Sequence, residues 1–146
     1  MNTFFKKKIN QWEKKSFSQT GEDLIIKFLF DAIGVKNPSY IDIGAHHPYY
    51  LNNTALFYEN GSTGINIEPD PALYSLFPKY RKLDINLNCG ISDKDGELML
   101  NILNAPTLNT FSDEEANKMV NENNFKIVNR IPIKVYAINT VLKKYC

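Results

Sequence analysis

A βαβαβ pattern is the feature that most limits what this chain can fold into. Short apolar segments at residues 39–44, 64–68 and 85–91 predict strands, and helical stretches separate them. Strands that alternate with helices in this way predict a parallel sheet with right-handed crossovers. We therefore expect the α/β class with a mostly parallel sheet. The 146 residues, of which 43% are hydrophobic, suit one domain and exclude wholesale disorder.

Capping residues predict where the helices begin. Thr20 with Asp23 three residues later resembles a capping box for a helix that runs to Ile33. Asp70 before Pro71 predicts the start of a helix that continues to about residue 82. The remaining predicted elements are helices at residues 52–58, at 113–122 after Ser112 and from 140 onward, and strands at 97–103 and 131–138.

The first 15 residues are a basic segment that we separate from the domain at residues 16–146. Phe5, Ile9 and Trp12 recur at helical spacing among lysines, which predicts an amphipathic helix. Packing on the domain through Trp12 and weak contact with an anionic membrane surface both fit this pattern. No apolar run approaches the ~20 residues of a membrane span, and the segment lacks the apolar run of a secretory signal.

Charge and cysteine content exclude several classes of function. Seventeen basic and sixteen acidic residues give a net charge of +1, so the bulk charge does not indicate binding to nucleic acid. Cys89 and Cys146 provide neither a disulfide framework nor a metal-ligand spacing. We expect a reducing, cytoplasmic setting and no bound metal.

Two candidate ligand-binding residues lie at the ends of consecutive predicted strands. Gly44 ends the first strand and Glu68 the second, and open α/β sheets bind ligands at the carboxyl ends of their strands. Gly44 lets a ligand approach the backbone closely, and a carboxylate at Glu68 accepts hydrogen bonds from both hydroxyls of a ribose. Glu68 alone would also fit a solvated strand end. Together the pair predicts a site for a ligand that contains a nucleoside.

The loop after the first strand favours S-adenosylmethionine over NAD. A dinucleotide fingerprint needs G-x-G-x-x-G, whereas residues 44–48 are GAHHP and lack the second and third glycines. A pyrophosphate would find few free N–H groups there, while S-adenosylmethionine has no phosphate.

Six short motifs occur in a fixed order along residues 16–103. They are SQTGEDL (18–24), YIDIGAHHP (40–48), NT (53–54), FY (57–58), GINIEP (64–69) and NCGISD (88–93). As an ordered set they resemble the FkbM family of S-adenosylmethionine-dependent methyltransferases, with weaker similarity from residue 107 onward. The resemblance implies a Rossmann-like class I methyltransferase fold. It also implies O-methylation of a small-molecule or glycan acceptor, commonly at a sugar hydroxyl.

The resemblance also implies roles for individual residues. Asp42, Gly44 and Ala45 would line the methionine part of the cofactor, and Glu68 would hold the ribose with Pro69 shaping the turn. The other cofactor-binding residues that it implies are Ser92 and Asp93 beside the adenine, and Gln19 and Asp23 over the cofactor.

Methylation of an alcohol benefits from a general base, and three residues are candidates. His46 and His47 lie in the loop at the mouth of the expected pocket, and Asp23 belongs to the first motif. Solvated loop positions would equally explain both histidines, and helix capping would explain Asp23.

The family continues with a strand that ends in an Asp-Val-Glu-Gly-like motif, whereas this sequence stops at Cys146. We therefore expect a C-terminally incomplete fold with the strand at residues 40–44 at a sheet edge. Such a chain is expected to be marginally stable, to self-associate or to need a partner. A non-catalytic cofactor-binding remnant is the main alternative to an O-methyltransferase, and an NAD-dependent Rossmann enzyme is a weaker one.

Overall fold

Residues 13–146 are described by a computed structural model, and the predicted amphipathic helix at the start of the chain falls largely outside this range. No helix in the described range is long and apolar enough to cross a membrane. The helices are α1 (Glu22–Ala32), α2 (Ala55–Glu59), α3 (Pro71–Tyr74), α4 (Phe77–Tyr80), α5 (Asp113–Asn123) and α6 (Ile138–Tyr145), and the strands are β1 (Tyr40–Ile43), β2 (Gly64–Ile67), β3 (Ile85–Leu87), β4 (Gly90–Ser92), β5 (Gly96–Leu103) and β6 (Ile127–Ala137).

The strands of the described range form two sheets of three strands each. The first sheet has the order β1-β2-β3 and is entirely parallel, which confirms the α/β class. The second has the order β4-β6-β5, in which β6 runs parallel to β4 and antiparallel to β5. As expected, β1 lies at an edge of its sheet.

The prediction of one strand at residues 85–91 is wrong, because the chain leaves the first sheet after β3. Asn88 follows β3, and its side-chain amide donates to the carbonyls of Glu68 (2.8 Å) and Pro69 (3.0 Å). These bonds hold the segment against the end of β2. Two residues later β4 begins and pairs with β6 instead.

The predicted capping box at Thr20 is also wrong. Gly21, not Thr20, precedes α1 in a left-handed conformation (φ 92°) and has no side chain to cap the helix, while Asp23 Oδ1 accepts from the N–H of Leu24 (2.9 Å) in the first turn. The Asp23 carboxylate also accepts hydrogen bonds from the hydroxyl of Ser16 (2.7 Å) and the backbone N–H of Phe17 (2.7 Å). Asp23 thus anchors the segment before the helix.

The predicted helix at residues 71–82 is two short helices, α3 and α4. Asp70 caps α3 as predicted, because its Oδ1 accepts from the backbone N–H of Ala72 at 2.8 Å. Pro78 has no N–H to donate to the carbonyl of Tyr74, so one continuous helix would lose that bond. The capping of α5 by Ser112 is confirmed by a 3.2 Å bond from the N–H of Glu115.

The two faces of the first sheet differ in chemistry. One face forms an apolar core, in which Ile65 and Ile67 of β2 pack with Cys89 and with Val141 of α6. On the other face Asn66 is buried among polar side chains. Side chains alternate between faces along a strand, so the GINI sequence of β2 produces this division.

Candidate functional site

The loop after β1 leaves open space next to Gly44. Gly44 has a φ of 74°, and a Cβ atom built on it would meet nothing within 4 Å. The backbone N–H groups of Gly44 and Ala45 both donate to the carbonyl of Ile67, at 2.9 and 3.1 Å. The end of β2 therefore holds this loop in place while the α-carbon of Gly44 stays accessible to a ligand.

Glu68 is buried at the end of β2, not solvated. Only 4% of the residue is exposed. Its two carboxylate oxygens accept backbone N–H bonds, one from His46 (2.7 Å) and one from Asp70 (2.8 Å). Burial raises the pKa of Glu68 to about 7, although these two bonds oppose the shift. Each oxygen keeps a second lone pair for a ligand hydroxyl.

A cavity of about 230 Å³ lies beside Gly44, between the two sheets. Small-molecule pockets usually measure about 300–1,000 Å³, so this one suits a part of a ligand. None of the described residues that line it is Lys or Arg. The lining residues are Ile43, Gly44, Ile67, Pro69, Gly90, Ile91, Leu100, Asn109 and Phe111.

Asp42 and Ala45 do not line this cavity. They accept hydrogen bonds from residues later in the same loop. Asp42 Oδ2 accepts from Thr54 Oγ1 (2.8 Å) and Asn52 Nδ2 (3.2 Å), and burial raises the pKa of Asp42. The carbonyl of Ala45 accepts from the same Asn52 amide at 2.9 Å. Ile43 lines the cavity instead, because neighbouring side chains of a strand point to opposite faces.

A buried ion pair, which the sequence interpretation missed, lies under this loop. Arg81 and Asp84 are fully buried side chains 2.9 Å apart. Arg81 also donates to the hydroxyl oxygens of Tyr40 (2.7 Å) and Thr54 (3.1 Å). The only sequence signal was a pair of opposite charges three residues apart, a pattern that occurs most often on exposed surfaces.

Of the three candidate bases, His46 has the side chain that forms the fewest hydrogen bonds with the described residues. It is half-buried in a left-handed conformation (φ 57°). Burial, together with the charge of His47, lowers the pKa of His46 despite the opposing effect of Asp70. His46 is therefore neutral near pH 7 and able to accept a proton.

His47 already uses one ring nitrogen in the loop. Its Nδ1 accepts from the backbone N–H groups of Tyr49 (3.1 Å) and Tyr50 (2.9 Å). The neutral ring therefore carries its proton on Nε2, and burial lowers the pKa of His47. In this state neither nitrogen offers a free lone pair to an acceptor hydroxyl.

The segment that leads into the first motif is bonded to the same loop. Burial alone would raise the pKa of Asp23, but hydrogen bonds from Phe17, Ser16 and Ser18 outweigh it and lower the pKa. The carbonyl of Phe17 accepts from the N–H of Asn52 at 2.9 Å. The hydrogen bonds from Phe17, Ser16 and Ser18 therefore occupy the oxygens of Asp23 within its own segment. Gln19 is exposed.

Ser92 and Asp93 lie at the end of β4 and do not line the cavity. Ser92 Oγ bonds to Asp93 Oδ1 at 3.0 Å. Gly90 and Ile91, just before them, do line it. Within residues 13–146, no group of three or more His, Cys, Asp or Glu side chains could hold a metal ion.

Comparison with protein families gives a match over most of the chain. A family model described as the methyltransferase FkbM domain matches residues 42–145. This range begins in β1 and ends in α6, so it includes the loop after β1, Glu68 and the cavity. No curated protein and no solved structure matches the chain.

Proposed function

The chain belongs to the FkbM methyltransferase family, and from that premise we propose that it transfers the methyl group of S-adenosylmethionine to a hydroxyl of a small-molecule or glycan acceptor, such as a sugar. Membership makes the chain a methyltransferase in general, and every methyltransferase needs a methyl donor. The observation that carries the choice of donor is the open backbone at Gly44 together with the buried carboxylate of Glu68, which accepts from the N–H of His46 in the same loop. Glu68 itself does not line the cavity. The parallel order β1-β2-β3 supports a Rossmann-like arrangement of the cofactor-binding half.

The chemistry of the site fits this donor better than a dinucleotide. A pyrophosphate is normally bound by free backbone N–H groups or by basic side chains. Here the N–H groups of Gly44, Ala45 and His46 already donate to Ile67 and Glu68. The described cavity lining contains no Lys or Arg. The carboxylate of Glu68 suits neutral ribose hydroxyls and a nearby cationic sulfonium.

Three residues have separate roles in the proposed methyl transfer. Glu68 accepts hydrogen bonds from the ribose and orients the donor, and Gly44 allows it close to the backbone. When bound, the donor supplies an electrophilic methyl group, so the protein contributes mainly alignment. The neutral imidazole of His46 takes the proton from the acceptor hydroxyl. Its position is set by its backbone N–H bond to Glu68.

The first test is calorimetric titration with S-adenosylhomocysteine and with NAD. We expect the former to bind and the latter not to bind. Gly44→Val should abolish binding, because the side chain fills the open space. Gly34→Val is the matched control, since Gly34 has a similar φ of 77° and equally open surroundings away from the site. Equal binding by both variants, or binding of NAD, would overturn the assignment of the donor.

The second test measures transfer from methyl-labelled donor to a panel of sugars and glycans. His46→Asn keeps a residue that tolerates positive φ and keeps the N–H bond to Glu68. We expect turnover to fall by about 10²–10⁴-fold, with unchanged affinity for S-adenosylhomocysteine. Donor binding by the wild type without transfer to any acceptor would instead favour a non-catalytic remnant.

A further inference from the structure

A second cavity, which we call the edge cavity, lies along the open edge of the first sheet. It measures about 380 Å³, within the usual range for small-molecule pockets. β3 is the last strand of that sheet, and its residues Asn86 and Leu87 form one wall. One side of α6 forms another wall. The lining residues are Tyr74, Asn86, Leu87, Asn88, Cys89, Tyr136, Thr140, Val141, Lys144 and Tyr145.

Apolar and aromatic side chains line most of the edge cavity. Cys89 and Val141 are buried in the apolar core of the first sheet, and Leu87 packs against them. Three half-buried tyrosines from three different elements complete the apolar lining, namely Tyr74 of α3, Tyr136 of β6 and Tyr145 of α6. Aromatic rings pack well against one another in offset-stacked or edge-to-face arrangements. The lining therefore suits a ligand with a flat ring.

Several polar groups of the lining already donate to the protein. Asn86 Nδ2 and Asn88 Nδ2 each donate to two backbone carbonyls, and Thr140 Oγ1 donates to Asp95 at 3.2 Å. Within residues 13–146, the hydroxyls of the three tyrosines and the ammonium group of Lys144 donate no hydrogen bond to another residue. These groups are therefore the donors that a ligand can use.

Lys144 gives the edge cavity a positive charge that no carboxylate in its lining balances. The described lining residues include neither Asp nor Glu, and Lys144 forms no ion pair with any other residue of the described range. Its Nζ lies 5.1 Å from the centre of the Tyr145 ring. An ammonium group in this position forms strong, charge-assisted hydrogen bonds with an anion.

We propose that the edge cavity is a second small-molecule site, separate from the candidate donor site, that binds a planar aromatic carboxylate. The ring of the ligand packs against the tyrosine rings, and its carboxylate accepts from Lys144. The two cavities share no lining residue. Asn88 of the edge cavity is bonded at 3.0 Å to the carbonyl of Pro69, which lines the other cavity. The inference does not depend on the identity of the methyl donor.

The test compares two probes of nearly the same shape that differ in charge. 2-Naphthoate carries a carboxylate, and 2-naphthamide carries a neutral amide in its place. By calorimetry on the full chain, we expect 2-naphthoate to bind with a dissociation constant of about 1 mM or below. We expect 2-naphthamide to bind about tenfold more weakly, because it lacks the charge that Lys144 recognises.

Two pairs of variants locate the probe in the edge cavity. Lys144→Met should lower the affinity for 2-naphthoate by about tenfold and leave that for 2-naphthamide unchanged. Lys143→Met is the matched control, since Lys143 is an exposed lysine of the same helix outside the lining. Tyr74→Leu should weaken both probes by about two- to tenfold. Tyr50→Leu should weaken neither, because Tyr50 is 63% exposed and does not line the cavity.

Four results would overturn the proposal. The first is a lack of 2-naphthoate binding at a few millimolar, and the second is equal affinity for the two probes. The third is equal affinity of a lining variant and its matched control, which would mean that the probe binds elsewhere. The fourth is displacement of 2-naphthoate by S-adenosylhomocysteine, because the edge cavity would then be part of the donor site.

Discussion

Glu68 shows how one residue combines burial with charge at the end of β2. The residue is 4% exposed and its carboxylate accepts two backbone N–H bonds, yet burial still raises its pKa to about 7. The cost of removing a carboxylate from water exceeds the gain from two neutral donors. The protonation state of this residue therefore changes within the physiological range of pH.

The affinity for S-adenosylhomocysteine should rise with pH because of Glu68. Only the ionised carboxylate accepts freely at both oxygens, and the ionised fraction grows as pH passes about 7. Between pH 6 and pH 8 we expect affinity to increase by about tenfold and then level off. Glu68→Gln should bind more weakly with a flat profile. Calorimetry across this range checks the result, and a flat or falling wild-type profile contradicts it.

The same raised pKa has the opposite consequence for stability without ligand. A carboxyl whose folded pKa lies above its unfolded value of about 4.5 stabilises the fold fully below pH 4.5. That contribution disappears as pH rises through about 7. Donor affinity and unliganded stability therefore change in opposite directions over this range, as expected for a residue that is placed for ligand binding.

At the scale of the element, two glycines let aromatic rings pack against strands. Gly90 of β4 accommodates the ring of Phe111, and Gly64 of β2 accommodates Tyr40 of β1. Glycine in a strand normally weakens it. Gly64 of β2, however, allows the Tyr40 hydroxyl of β1 to reach Asp84 at 2.8 Å. Close packing of β1 on β2 therefore connects both strands to the buried ion pair.

Gly64→Ala should therefore destabilise the fold severely. The new methyl group would overlap the Tyr40 carbonyl oxygen, which is backbone and cannot move without breaking the β1–β2 pairing. We expect a loss of at least about 2 kcal/mol in the free energy of unfolding, measured with urea. Gly96→Ala is the matched control, because nothing lies within 4 Å of its Cβ position. Equal effects of the two substitutions would refute the close-packing argument.

At the scale of the whole molecule, a polar network joins elements that are distant in sequence. Arg81 donates to the carbonyl of Pro48 (3.0 Å), to Thr54 before α2 and to Tyr40 of β1. Asp84 accepts from the N–H of Gly64 at 2.8 Å. One buried ion pair therefore connects the loop after β1 with both strands beneath the candidate site.

Arg81→Ala should destabilise the protein by about 3–5 kcal/mol, because it leaves Asp84 buried without its counter-charge. The exposed pair Lys27–Asp31, also 2.9 Å apart, provides the control. Lys27→Ala should cost less than about 1 kcal/mol, since solvent screens such pairs. Denaturant unfolding measures both values. A loss at Arg81 no larger than that at Lys27 would show that the network adds little to stability.

Self-association, expected from the edge strand β1, stays a prediction, and the exposed face of α1 offers a further apolar surface for it. Ile25, Phe28, Leu29 and Ile33 are 57–72% exposed in the described structure, and large apolar patches favour association. Sedimentation should show mass rising with concentration, and Phe28→Lys should reduce this rise. Val128→Lys, at a residue 59% exposed on β6, should not. A monomer at every concentration would contradict the prediction.

The sequence by itself determined the features that depend on a few neighbouring residues. Alternation of apolar and capped segments predicted β1 and β2, although it merged β3 with β4 and α3 with α4, and Asp70 and Ser112 cap their helices as predicted. Gly44 and Glu68 lie at the ends of β1 and β2, as their positions in the sequence indicated. These features are local because backbone conformation and capping act over three or four residues.

Only the tertiary structure decided which distant residues meet. It divided the expected strand at residues 85–91 between two sheets, buried Arg81, and bonded the Asp23 carboxylate to the segment before its helix. It also brought Phe111 onto Gly90 beside the cavity. The physical reason is that packing and the pairing of buried charges depend on surfaces that come together only in the fold. A pattern of neighbouring residues does not specify which distant surfaces will meet.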